Sequence, residues 1–259
     1  MKNIALYTFS ALVLLLAGGC CSPAATDRLP TVTVVKAAPG EIKFDGSLSE
    51  KFWSKVPAYE LLRCDNSHKL PPQERNKILA DGLEKASVKF AYDDKYFYAA
   101  ATLEENDIIA KGKTGDLSIF FGDTIEVFLA PEQAFYYWEL YSTPNGAKTA
   151  FFYELPTLDL VIKDRAKYGK LPSFEIAFKL NGTLNKQNDR DRGWTTEMRL
   201  PLAEIAKKGI KFAPGEKWTI MAARYNYSAY NYAVQTSAYP KLPALNFHMR
   251  QFYAPVEFR

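Results

Sequence analysis

Cysteine is nearly absent from this chain: three in 259 residues, at positions 20, 21 and 64. Two of them adjoin near the N-terminus and the third lies alone in a polar stretch, so no disulfide framework can be built and the fold must rest on its own core. Histidine is scarcer still. His68 lies in a polar segment and His248 beside Met249, and neither has the company that a zinc or catalytic site requires. The sequence has no HExxH, no GxSxG, no phosphate loop and no dinucleotide fingerprint, which argues against the commonest enzyme chemistries. No excess of one charge is present either. Thirty-three Lys and Arg are interleaved with 29 Asp and Glu, for a net charge of +4, and no basic stripe marks a nucleic-acid surface. The densest charged run, NKQNDRDRG (185–193), contains Asn, Asp and Gly and reads as a solvated loop.

Long apolar runs are also missing. The longest, Ile4 to Leu16, follows Lys2 and ends in LAGGCC. It falls short of the roughly 20 apolar residues that a membrane-spanning helix takes. It has the layout of a secretory signal, and Ala17, Gly18, Gly19 and Cys20 resemble a bacterial lipoprotein signal. That resemblance implies a signal peptide over 1–19 and acylation of Cys20, with Cys21 as a second candidate. An ordinary cleaved signal is the alternative. The following CSPAATDRLP is small, polar and proline-bearing, so 20–30 is expected to be a tether and 31–259 one domain. The expected location is the cell envelope, periplasmic or cell-surface.

What the chain does have is aromatic and β-branched residues in alternation: hydrophobic residues make up 47% and aromatics 14%, enough for a substantial core. ASVKFAY and YFYAAATL flank DDK and predict a hairpin from Ser87 to Leu103. TIEVFLAP ends at Pro131, and Asn145–Gly146 predicts a tight turn between two further strands. SFEIAFKLNG, GWTTEMRLPL, KWTIMAARYNYS, YAVQTSAY and HMRQFYAPVEF bring the total to roughly ten strands, at spacings typical of a sandwich or jelly roll. The expected fold is an all-β, antiparallel, jelly-roll-like β-sandwich with one or two short helices. One helix is expected after Asp45–Gly46, where Ser47 and Glu50 have capping-box spacing and Leu48, Phe52 and Val56 fall on one side. Another is expected in PLAEIAKKG (201–209), between Pro201 and Gly209. Residues 64–85 read as a long loop with a turn of helix. Trp53, Trp138, Trp194 and Trp218 are read as core.

Taken in order, DGSLSEKFW (45–53), VKFAYDDKYFYAAATLEEND, GDTIEVFLAP, YYWELYSTPNGA, GWTTEMRLPLAEI, GEKWTIMAARYN and FHMRQFYAPVEF resemble the family 9 carbohydrate-binding modules and their DOMON-like relatives, over about Ile42 to Phe258. The resemblance implies a β-sandwich that binds a glycan or oligosaccharide without chemistry, the sugar pinched between two aromatic rings and hydrogen-bonded by polar side chains. It puts one ring at Phe120, with Phe121 beside it, where the family usually has tryptophan, and the other at Tyr239. Glu126 falls on a polar contact, and Glu139 stands where some members carry arginine. No cofactor is expected, although members sometimes hold structural calcium. Membrane contact through the lipid and glycan-degrading enzymes complete the expected partners.

The residue pattern can be read independently of the family. Sugar rings offer C–H faces for flat aromatics and hydroxyls for directional partners. In period two, Thr124, Glu126 and Phe128 share one face of a strand, Tyr137, Glu139 and Tyr141 one face of the next, and Arg224 and Asn226 a face with Trp218, Ile220 and Ala222. The candidate ligand site is therefore Phe120, Phe121, Glu126, Glu139, Arg224, Asn226 and Tyr239. For Glu126 a structural role, as the buried partner of Arg224 or Arg199, stands beside the binding role. Some DOMON-like domains bind haem b, which here would draw on His248 or Met249 with Met198 or Met221. A surface scaffold with no small ligand is the remaining alternative.

Overall fold

The computed structural model describes residues 29–154 and 173–259. The signal, Cys20 and most of the tether lie outside them. The described chain is mostly β. Its strands are β1 (Val32–Lys36), β2 (Tyr59–Glu60), β3 (Leu62–Arg63), β4 (Ala86–Tyr92), β5 (Tyr96–Leu103), β6 (Thr124–Pro131), β7 (Tyr137–Ser142), β8 (Lys148–Tyr153), β9 (Glu175–Asn181), β10 (Gly193–Pro201), β11 (Trp218–Asn226), β12 (Gln235–Tyr239) and β13 (Ala254–Phe258). Three short α-helices accompany them: α1 (Lys51–Lys55), α2 (Pro72–Ala80) and α3 (Leu202–Ala206).

All thirteen strands join one sheet, whose main path runs β8-β7-β6-β11-β13-β1-β4-β5-β10-β9. The expectation of a purely antiparallel sandwich is corrected here. β1 runs parallel to both of its neighbours, with Val32 beside Val256 on β13 and Val35 beside Ala91 on β4. It closes the gap between strands far apart in the chain, and the pairing becomes mixed. The sheet curls until its two halves face each other, nearly a barrel. Val127, Leu129 and Ile220 of one half share a core cluster with Phe90, Phe97 and Met198 of the other. The Ser142 and Thr196 hydroxyls meet across that space at 2.7 Å.

Several local expectations hold. Asp93 Oδ1 accepts from the Lys95 and Tyr96 amides at 2.7 Å each and so closes the β4–β5 turn. Gly146 takes φ +78° in the β7–β8 turn, a conformation open to glycine at little cost. Trp138, Trp194 and Trp218 lie in the central core, and Trp53 is buried on the inner side of α1.

The capping box does not form. Leu48 adopts φ +55°, α1 starts only at Lys51, and Glu50 Oε1 accepts instead from the Lys43 amide at 2.9 Å. A long-range contact wins over the local one: buried Glu197 of β10 accepts from the Asp45 and Gly46 amides at 2.9 and 2.8 Å and from Trp53 Nε1 at 3.1 Å. The segment 45–53 is thus a plug bolted to β10. A Cβ on Gly46 would come within 2.4 Å of the Phe178 nitrogen, so the motif needs glycine for close approach as well as for its turn. The last strand is also shorter than expected. His248 and Met249 precede it, in a segment that covers the outward face of β6 and β7.

Candidate functional site

β6 lies between β7 and β11, and all eight of its residues are buried. Alternation divides them: Ile125, Val127 and Leu129 enter the central core, while Phe128 and Ala130 belong to a second cluster on the outward face. Glu126 shares that outward face. It is 2% exposed and stands in register between Ala223 of β11 and Tyr141 of β7. The Cys64 thiol is pushed up to about 12, first by burial and then by the charges of Asp65 and Glu126, so it is inert. Burial also raises the Tyr141 and Tyr225 phenols, again with Glu126 contributing. A carboxylate ringed by tyrosines is the outcome.

Glu139, on β7, faces the same way, in register with Phe128 and Phe151. It accepts from the Tyr141 hydroxyl at 2.6 Å and from the Tyr153 hydroxyl, and His248 Nε2 lies 3.9 Å from Oε1. His248 Nδ1 is in turn 2.7 Å from the Tyr137 hydroxyl. The rings of Phe128, Tyr137 and Tyr153 lie 5.6, 6.0 and 5.7 Å from the His248 ring and pack around it. Among the described residues no three His, Cys, Asp or Glu side chains group as a metal site.

Phe120 and Phe121 end a 3-10 helix (Leu117–Phe121) at the mouth of β6. Their ring centroids are 4.6 Å apart, and Phe121 is 52% exposed. The mount is rigid. Thr124 Oγ1 donates to the Ile119 and Gly122 carbonyls at 3.0 and 3.1 Å, and the Tyr227 hydroxyl donates to the Phe120 carbonyl at 3.1 Å. Asp123, fully buried, accepts from the Ile109 and Tyr227 amides at 2.6 and 2.7 Å. Ile119 packs in the outward cluster, so this helix sits on the same side of the sheet as Glu126 and Glu139.

The other sequence candidates lie elsewhere. Arg224 points to the opposite face, where it donates to Glu105 Oε2 at 2.7 Å and to the carbonyls of Glu104, Glu84 and Lys85 at 2.6, 3.2 and 3.3 Å. Its partner is Glu105 rather than Glu126, and Arg199 pairs with Glu175. Asn226 donates to Glu84 Oε2 at 2.8 Å. These two side chains bind β11 to the chain segments flanking β4 and β5. Tyr239, opposite Ala222, packs against the central core with its ring 4.9 Å from Tyr59. It is also about 13 Å along β12 from the end nearest Phe120. A late-chain aromatic does reach the outward face, but it is Phe247, 4% exposed and 5.2 Å from the Tyr225 ring. Tyr137 and Tyr141 were legible as neighbours of Glu139 through strand alternation, whereas Tyr153 and Tyr225 come from other strands. Phe247, His248 and Cys64 carried no such signal.

No established family profile matches the sequence, and no curated protein does. Solved structures do resemble the fold. A Bacteroides uniformis protein provisionally assigned as carbohydrate-binding superposes with a TM-score of 0.64 at 12% identity, over 89% of this chain and 100% of its own. A family 9 carbohydrate-binding module from Caldicellulosiruptor kristjanssonii, solved with cellotriose, gives 0.55 at 14% identity over 89% and 94%. The same module with glucose gives 0.55 at 14% over 89% and 96%. At these identities the likeness is one of architecture: the chain has the fold of the family 9 carbohydrate-binding modules.

Proposed function

We propose that this chain is a non-catalytic carbohydrate-binding domain of a bacterial envelope lipoprotein, in which Cys20 carries the lipid, 20–30 form the tether and 31–259 bind glycan. One observation carries the ligand reading. A half-exposed ring, Phe121, rests on Phe120 at the mouth of the strand whose outward face holds Glu126. A sugar ring would lay its C–H face on Phe121, with buried Glu126 and Glu139 holding the tyrosine layer behind that ring in place. Arg224 and Asn226 then serve the scaffold, and Tyr239 the core. Binding without chemistry agrees with Glu139 being engaged by two phenols, since a glycosidase needs two carboxyl groups facing one bond. The fold shared with modules solved with cellotriose and glucose supports the ligand class. Glycan-degrading enzymes are the natural partners of such a domain.

Isothermal titration with glucose and cellotriose, backed by a glycan array, tests the proposal on the wild type and on Phe121→Ala and Glu126→Gln. Loss of binding in both variants supports it. Binding that survives both moves the site elsewhere, and silence across the array ends the carbohydrate reading.

A further inference from the structure

At the far end of β6 the chain turns through residues 131–136 into β7. Arg250 donates to the Pro131 and Ala134 carbonyls at 3.1 and 2.7 Å, and the Glu132 amide donates to the Lys217 carbonyl at 3.0 Å. On this pinned turn Phe135 is 71% exposed, more than any other large hydrophobic side chain among the described residues. Its neighbours on the turn, Gln133 and Tyr136, line a hollow of about 400 Å³ together with Ile210, Gly215, Glu216 and Lys217, while Phe135 itself is outside the lining. The Tyr136 ring is braced by Trp138, edge-on at 5.7 Å, and by Phe152 at 5.4 Å. Gly215 is an exposed part of the lining, where an added Cβ would meet nothing within 4 Å.

We propose that this hollow is a second carbohydrate-contacting site, specific for neutral glycan chains. The inference rests on the carbohydrate reading above and adds a second point of contact. The chemistry is that of a polyol site: a braced aromatic, a flat exposed ring on the same turn, an amide and a phenol that both give and accept hydrogen bonds, and one acid next to one base. Glu216 and Lys217 cancel, which selects against strongly charged ligands. The eight residues of β6 separate the two sites by about 24 Å, so one short oligosaccharide cannot touch both, and only a polysaccharide is long enough to do so and gain avidity.

Affinity gel electrophoresis in hydroxyethyl cellulose, xylan and galactomannan decides the matter, using wild type, Phe121→Ala, Phe135→Ala, Gln133→Ala and Tyr136→Ser. Retardation weakened about threefold or more by the Phe135 or Tyr136 change, and further weakened when Phe135→Ala is combined with Phe121→Ala, is the expected result. Retardation sensitive to Phe121 alone overturns the second site and leaves the proposed function standing. A wild type that no gel retards overturns both. Should Tyr136→Ser fail to fold by circular dichroism, the exposed Phe135 and Gln133 variants decide.

Discussion

Glu126 and Arg224 occupy adjacent strands one residue out of register, and that single step puts them on opposite faces of the sheet: Glu126 is paired with Ala223, Arg224 with Ile125. Two residue types that alternation placed near one another therefore belong to different structures. Glu126 stands behind the exposed phenylalanine, whereas Arg224 is a buried bolt.

The bolt makes a stability prediction. Arg224→Met leaves Glu105 buried without its guanidinium and should cost about 3–5 kcal/mol, and the double change Arg224→Met with Glu105→Met should recover much of that loss. Urea denaturation of the wild type and the two variants measures it. A double variant no more stable than the single one would show that the pair's hydrogen bonds to the carbonyls matter more than its charges.

Ligand contact and stability should separate at Phe121. Its half-exposed ring contributes little to the core, so Phe121→Ala should leave the melting temperature within a degree or two while weakening sugar binding about tenfold, the equivalent of roughly 1.4 kcal/mol. Calorimetry and titration on one preparation give both numbers.

Burial pushes the Asp123 carboxyl up to about 8, against the two amides that donate to it. The folded value lies above the unfolded one of 3.8, so the native state holds the proton over a window in which the unfolded chain has released it. Stability from this group is full below the unfolded value and falls as pH rises toward 8, at no more than about 1.4 kcal/mol per pH unit. Asp123→Asn should flatten the slope of melting temperature against pH between 4 and 8. A slope equal to that of wild type would mean that the amides keep Asp123 ionised.

The plug at 45–53 is expected to be a stability element without a binding role. Trp53→Ala should cost about 3–5 kcal/mol by emptying a buried site. Trp53→Phe, which leaves Glu197 Oε1 without its indole donor, should cost about 1–3 kcal/mol. Sugar affinity should be unchanged in both, as measured below the lower melting temperature.

Much of this molecule was decided locally. Period-two alternation in TIEVFLAP and YWELYS, the turn signals DDK and NG, and four tryptophans too large to leave in water determine by themselves a β-rich chain with a substantial core, because each depends only on neighbouring residues. Which donor meets which acid depends on contacts across more than a hundred residues, such as the Arg224 guanidinium with Glu105 and the Gly46 amide with Glu197, and only the tertiary structure settled those. The same holds for the parallel insertion of β1 and for the segment that brings Phe247 and His248 over the outward face. A side chain's face follows from its own strand, but its partner follows from how distant strands come together, and no local pattern encodes that.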